Sequence, residues 1–463
     1  MDEPRSLNIR AALRFLLTFR RLLLFLLFAL SACFSADPGI MPATNEALLQ
    51  LARSVSQLRQ LPLRRDVTIV TTSKPLPGIT PPSYYGGTPL APLENAYQSL
   101  GLLPDNADLN AVVAEYRRIE QLVAYDDTTG RALLSRDVAR LRATLEKTNP
   151  STANELPTVL GIMTALQEQH FKWRDKIDSI SLEDRRLTFR AIAAGDMVLT
   201  LTARTAGTAK EELSQEHFQV AGRIADEIDR LGAPLPFFFR QQLSFPYREG
   251  SRFVSWALRA KGWNGVNSLY ANPPLSTAQI LNPEKYFVQR QLPLRYFPPT
   301  LMRRFKESPV VEQSVGEHLM RALLANEYGE KTAAQLASTW RGDQLFVFQE
   351  GAYLTHVWFS SWENEAAARE WMRAYQKILE TRHGMRFEMP ANGNDGALIA
   401  TARNRRGWLL QSTGPVVVVV NAQSANVLID LAERAWKDLE IEADSTVLPF
   451  ESAGRPVQSF RRR

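Results

Sequence analysis

A change of hydrophobic period near residue 340 does most to limit what this chain can fold into. Through residues 109–123, 135–146, 156–171, 184–203 and 212–231, apolar side chains recur three and four apart, the spacing of helices that each bury one face. Residues 344–350 and 353–359 instead alternate around Gly351 like paired strands, and the unbroken run Val416-Val417-Val418-Val419-Val420 suits a strand buried on both faces. Helical spacing returns in residues 364–381, where Ala367, Trp371, Tyr375 and Ile378 share a face, and in residues 424–439. The expected class is α+β: a mainly helical body followed by a unit of strands with helices on one side, ferredoxin-like in pattern. Within the helical part, Leu122 to Leu134 surround the turn Asp127-Thr128-Thr129-Gly130 and predict a small hairpin packed beside helices.

The first forty residues follow other rules. Arg5, Arg10, Arg14, Arg20 and Arg21 precede an apolar run from Leu22 to Leu30, which is too short for a membrane span of about 20 residues and has the layout of a secretory signal. Leu30-Ser31-Ala32-Cys33 resembles a bacterial lipobox, whose cysteine is acylated and becomes the mature N-terminus. An uncleaved N-terminal anchor is the alternative, and either places the body in the cell envelope, facing the periplasm. Phe34 stands where inner-membrane lipoproteins commonly carry Asp, so the outer membrane is favoured. Cys33 is the only cysteine, which leaves no thiol for a disulfide or a thiolate metal site.

With 463 residues, 45% hydrophobic and 22% charged, the chain reads as an ordinary globular protein of two or three packed units. The expected division is a signal at 1–32, a lipidated N-terminus and Pro/Gly-rich linker at 33–90, the helical domain at 91–338, the α+β unit at 339–445 and a basic tail at 446–463. Within 33–90, a short amphipathic helix over 45–60 and a strand over 67–72 precede the linker proper at 74–87. The formal charge of +6 is about half owed to the leader, and Arg455 and Arg461 to Arg463 make the tail basic. No basic stripe with interleaved aromatics points to nucleic acid.

One helical stretch carries a more specific signal: Val159-Leu160-Gly161-Ile162-Met163-Thr164-Ala165-Leu166-Gln167-Glu168-Gln169-His170-Phe171. It resembles the active-site helix of an HExxH zinc metallopeptidase-like family of bacterial envelope proteins, in which HExxH runs into Ala-Leu-Gln-Asp/Glu-Gln-His-Phe. HExxH works because residues four apart share a helix face, so two histidines bind one zinc while the glutamate activates its water. The resemblance places the first histidine position at Leu160, the catalytic glutamate at Gly161 and the second histidine at Thr164. Ala191-Ile192-Ala193-Ala194-Gly195-Asp196-Met197 looks like the family's ALxEGDA segment and places the third, gluzincin-type ligand at Ala194. All four positions have lost the chemistry, so the resemblance is to a degenerate member without catalytic zinc or another cofactor.

Further blocks resembling the family follow in order across roughly residues 95–380. They include Phe245-Pro246-Tyr247-Arg248-Glu249-Gly250, Ser276-Thr277-Ala278-Gln279-Ile280-Leu281-Asn282-Pro283-Glu284-Lys285-Tyr286 and Trp340-Arg341-Gly342-Asp343-Gln344. Bland roles compete with functional ones at most of them. His170 is expected to hydrogen-bond within the core and Asp196 to fix backbone. Glu216-His217 is expected on a solvated face, and Trp340, Trp358, Trp362 and Trp371 in a core.

Three functions compete. The favoured one is a noncatalytic envelope lipoprotein, held to the membrane by its lipid anchor, that uses the former substrate cleft or the C-terminal unit to bind a polypeptide or envelope partner. A hydrolase with a relocated active site would need converging carboxylates, or His170 close to His217. A purely structural protein would have its cleft filled by Leu160 and Met163.

Overall fold

The computed structural model describes residues 45–76, 84–85, 88–206, 215–305, 308–390, 396–403 and 405–445. The leader, Cys33, much of the Pro/Gly-rich run and the basic tail lie outside them. The chain divides at Leu48/Leu49 into two compact units, and the architecture below is that of the second. Among the described residues no helix is long and apolar enough to cross a membrane.

The class is α+β, as the change of period implied. Two long helices form the spine of the helical part: Glu183–Thr205, and Phe237–Ala271, which breaks at Lys261 and Gly262 (φ +59°). They cross with almost no space between backbones. A Cβ added at Gly195 would lie 2.4 Å from the Gly250 carbonyl oxygen, and one at Gly250 would lie 2.2 Å from that of Ala191. Leu187, Ala191, Ile192 and Leu199 can then interlock with Phe245, Phe253, Val254 and Ala257 in one core. The helix Pro150–Phe171 starts on a proline, where the missing N–H costs nothing, and stops where Lys172 turns left-handed (φ +45°).

A small sheet covers one flank of that helix. Val123–Asp126 and Arg131–Ser135 form the predicted hairpin, and Thr68–Thr72 pairs parallel to its second strand. The helix and strand expected over 45–60 and 67–72 form as Asn45–Arg59 and Thr68–Thr72, but residues 49–76, expected in the segment before the folded body, are part of that body. Ala52, Val55 and Arg59 of the helix Asn45–Arg59 are buried, and Ile69 packs on Gly161.

The C-terminal sheet has six antiparallel strands in the order Ala397–Thr401, Gly407–Thr413, Val416–Ala422, Tyr353–Trp362, Trp340–Glu350, Val311–Gln313. Its helices lie on both faces, not on one, so a ferredoxin-like layering is not what the strands adopt. Trp358 and Trp362 meet Trp371 and Tyr375 of helix Glu365–His383. Val357, Phe359, Val416, Val418 and Val420 pack with Leu428, Leu431 and Ala435 of helix Leu428–Trp436. The valine strand is buried along its whole length, as an apolar run without alternation requires. The sheet also recruits Val311–Gln313 and the core residues Leu301 and Phe305, upstream of the expected boundary at 339.

Candidate functional site

Leu160, Thr164 and Gln167 fall on one face of helix Pro150–Phe171, and Ala193, Ala194 and Met197 on the facing side of helix Glu183–Thr205. These residues border a cavity of about 420 Å³. Three of the four positions assigned by resemblance to a zinc site, Leu160, Thr164 and Ala194, therefore converge on one space. Gly161 turns instead toward the small sheet, where a Cβ would lie 2.9 Å from Ile69 Cδ1. The space is not packed shut: Leu160 forms part of the wall, while Met163 is buried elsewhere in the core.

These side chains do not fit a zinc ion. Leu160, Gly161 and Ala194 carry no donor atom, and the Thr164 hydroxyl already donates to the Leu160 carbonyl at 2.9 Å. Among the described residues no group of three or more His, Cys, Asp and Glu is placed to hold a metal.

Charged residues missed in the sequence form the rest of the wall. Arg190 binds both Glu120 and Glu183, the latter at 2.5 Å, and donates to the Tyr116 hydroxyl at 3.0 Å. Arg186 reaches Glu183 at 3.4 Å and Asp178 at 3.7 Å. Arg174 pairs with Glu168 at 3.1 Å and donates to the Val123 carbonyl at 2.7 Å. Burial raises the Glu120 carboxyl despite Arg190, and pushes that of Glu168 up to about 7 against the pull of Arg174. Tyr247 also lines the cavity, where burial raises its phenol. A helical-spacing signal was present, since Glu183, Arg186 and Arg190 recur at three and four along one face. Glu120 and Arg174 come from other elements, and no local pattern links them. The cavity thus joins a small-residue, mostly apolar floor to a wall of paired charges, a combination suited to recognition.

Asp196 stands behind this floor, wholly buried. It accepts from Arg59 Nε at 2.7 Å, from Arg59 Nη2 at 3.1 Å and from the Tyr270 hydroxyl at 2.9 Å. Arg59 also lies 4.7 Å from the Trp263 ring centroid. Asp196 therefore anchors an N-terminal helix rather than local backbone. The retained Ser276 to Tyr286 block is also framework. Thr277 donates through its amide and hydroxyl to Asp184 at 3.1 and 2.5 Å, and Asn282 donates to Glu317 at 3.0 Å. Asp343 accepts from both Trp340 and Trp358 indoles at about 3 Å and from the Val315 and Gly316 amides at 2.8 Å. All four tryptophans named above lie in cores. Arg248 pairs with Asp226, and Arg252 with Glu249.

The five histidines stay apart. His170 Nε2 meets the Pro62 carbonyl at 2.7 Å, a structural hydrogen bond as expected, but at a half-buried position near the surface rather than within the core. His217 is not on a solvated face: it points inward to the Thr202 hydroxyl at 2.8 Å, while exposed Glu216 accepts from Asn149. His318 meets the Gln241 carbonyl, His356 the Asn421 amide oxygen and His383 the Ser99 carbonyl.

Burial lowers His217 and His318 to about 4. Between that value and the unfolded one near 6.5 the unfolded chain binds more protons. Their stabilisation is then complete above pH 6.5 and is lost as pH falls toward 4, about 3 kcal/mol for each. Glu168 and Asp184, raised by burial to about 7 and about 8, act oppositely: their contribution is present at acid pH and is lost as pH rises through those values. Comparing H217Q with wild type isolates one histidine. Urea unfolding at pH 7 and 4.5 should show the variant losing about 2–3 kcal/mol less on acidification, and parallel losses would refute the assignment.

Residues 303–432 match a family described as "Domain of unknown function (DUF8575)", a span that holds all six strands of the sheet, the covering helix Glu365–His383 and the start of helix Leu428–Trp436. No curated protein and no solved structure matches the chain.

Proposed function

We propose that this protein is a noncatalytic lipoprotein of the bacterial envelope, built on a degenerate metallopeptidase-like scaffold, that binds a polypeptide or envelope partner in the former substrate cleft. The observation that carries this reading is the convergence of Leu160, Thr164 and Ala194 on an open cavity of about 420 Å³. A cleft retained only as scaffold has no reason to stay open, because filling it would gain packing contacts.

Elemental analysis of the purified full-length chain should find far less than one zinc per molecule. Alanine-to-tryptophan substitution at Ala194 should fill the floor and cut retention on an array of immobilised peptides about tenfold or more, as loss of a small pocket's apolar contacts implies. Stoichiometric zinc bound by the folded body, or peptide retention unchanged by A194W, would overturn the proposal. Labelled palmitate should be incorporated by the wild type and not by Cys33→Ser.

A relocated hydrolase is the second reading, and it draws on Glu120 and Glu183 meeting at Arg190. Peptide or ester hydrolysis abolished by both E120Q and E183Q would favour it.

A further inference from the structure

We propose that Trp256, Phe287 and Val288 form a docking face for an anionic bilayer surface. This face is separate from the cavity and does not depend on the function assigned to it. Val288 is 77% exposed and Trp256 39% exposed, unusual positions for large apolar side chains, and Phe287 links them: it precedes Val288 in the chain and carries Trp256 on its ring. Trp256 stacks on Phe287, with ring centroids 6.1 Å apart and planes at 11°. Phe287 in turn packs on the buried Phe253 at 5.1 Å. The apolar tip is therefore held out rigidly by the core and carries little entropy to lose on docking.

The frame around this tip is basic. Arg259 lies 5.5 Å from the Trp256 ring centroid and Arg290 4.9 Å from that of Tyr286. Neither these two nor Lys261 has a carboxylate partner among the described residues. Arg252 pairs with Glu249 at 3.4 Å, and Glu284, three residues before Phe287 in the chain, is exposed. Net positive charge around an indole and an aliphatic tip matches the headgroup layer, where aromatic rings sit at the interface and guanidinium groups meet lipid phosphates. Charge complementarity thus selects anionic lipid as the occupant.

The test uses the full-length chain reconstituted in vesicles of phosphatidylglycerol and phosphatidylcholine. An environment-sensitive fluorophore is attached at Val288→Cys and, as control, at Met389→Cys, which is 84% exposed. Any signal from Cys33 is common to both. Quenching by spin-labelled lipid should be about threefold or more stronger at position 288, and should fall to the control level in R259E/K261E or in pure phosphatidylcholine. Equal quenching at the two positions, or quenching indifferent to lipid charge, would overturn the proposal. So would shielding of position 288 in the absence of lipid, since that would assign the face to a protein contact.

Discussion

Asp196→Ala is expected to cost about 3–5 kcal/mol of folding stability, the range for removing one partner of a buried ion pair. Asp196 and Arg59 are both fully buried, and the pair is bidentate, at 2.7 and 3.1 Å. Without the carboxylate, a guanidinium would remain in the core facing Trp263 and the Tyr270 hydroxyl, too far from water to be solvated. The pair itself need not contribute much net stability, because its own desolvation offsets most of its attraction. R59M/D196L should therefore recover most of the loss. Urea unfolding reads both outcomes as a shift in midpoint at constant slope. A loss below about 1 kcal/mol for D196A would mean that the Asn45–Arg59 helix is not held by this contact.

Gly250→Ala should be comparably severe, at about 3 kcal/mol or more, and Gly195→Ala close behind. The added methyl at Gly250 would meet the Ala191 carbonyl oxygen at 2.2 Å and its carbon at 2.8 Å. These are main-chain atoms of the opposing helix and cannot rotate aside as a side chain could. The helices must separate, and the contacts of Leu187, Ala191 and Ile192 with Phe253, Val254 and Ala257 weaken together. Gly222 provides the control: on helix Gln215–Leu231 a Cβ there meets nothing within 4 Å, so G222A should stabilise by about 0.4–1 kcal/mol. Similar effects of the two substitutions would show that the crossing is not backbone-limited.

These two sites recast the segment Ala191 to Met197. The resemblance would read it as part of a metal-binding helix, but in this fold Gly195 and Asp196 have structural roles of their own. The glycine permits the helix crossing, and the aspartate ties down an N-terminal helix. Neither role depends on a metal, so both residues have a physical basis of their own whatever stands at Ala194.

Local periodicity made much of the framework legible. The helical runs, the hairpin at Val123–Ser135 and the doubly buried valine strand all follow from side chains a few residues apart. The layering of the C-terminal sheet did not. Period two shows that Trp358 and Phe359 face opposite ways, but which helix covers each face depends on a chain path the pattern does not encode. For the same reason the helix and strand read within residues 49–76 were legible as elements, but their place in the body was not. Their anchor, Arg59 on Asp196, spans 137 positions, and nothing in either neighbourhood names the other.

At the candidate site the division is sharpest. The sequence by itself determined which side chains stand at the four positions that the resemblance assigns to a zinc site, and leucine, glycine, threonine and alanine there settle the available donor chemistry whatever the fold. Only the tertiary structure decided that Leu160, Thr164 and Ala194 surround open space while Gly161 turns away to Ile69, and that Glu120, Glu183 and Arg190 meet at its wall. Donor chemistry belongs to each residue alone, whereas a cavity is the volume left between helices whose separation is fixed by contacts elsewhere, here the glycine crossing and the buried ion pair.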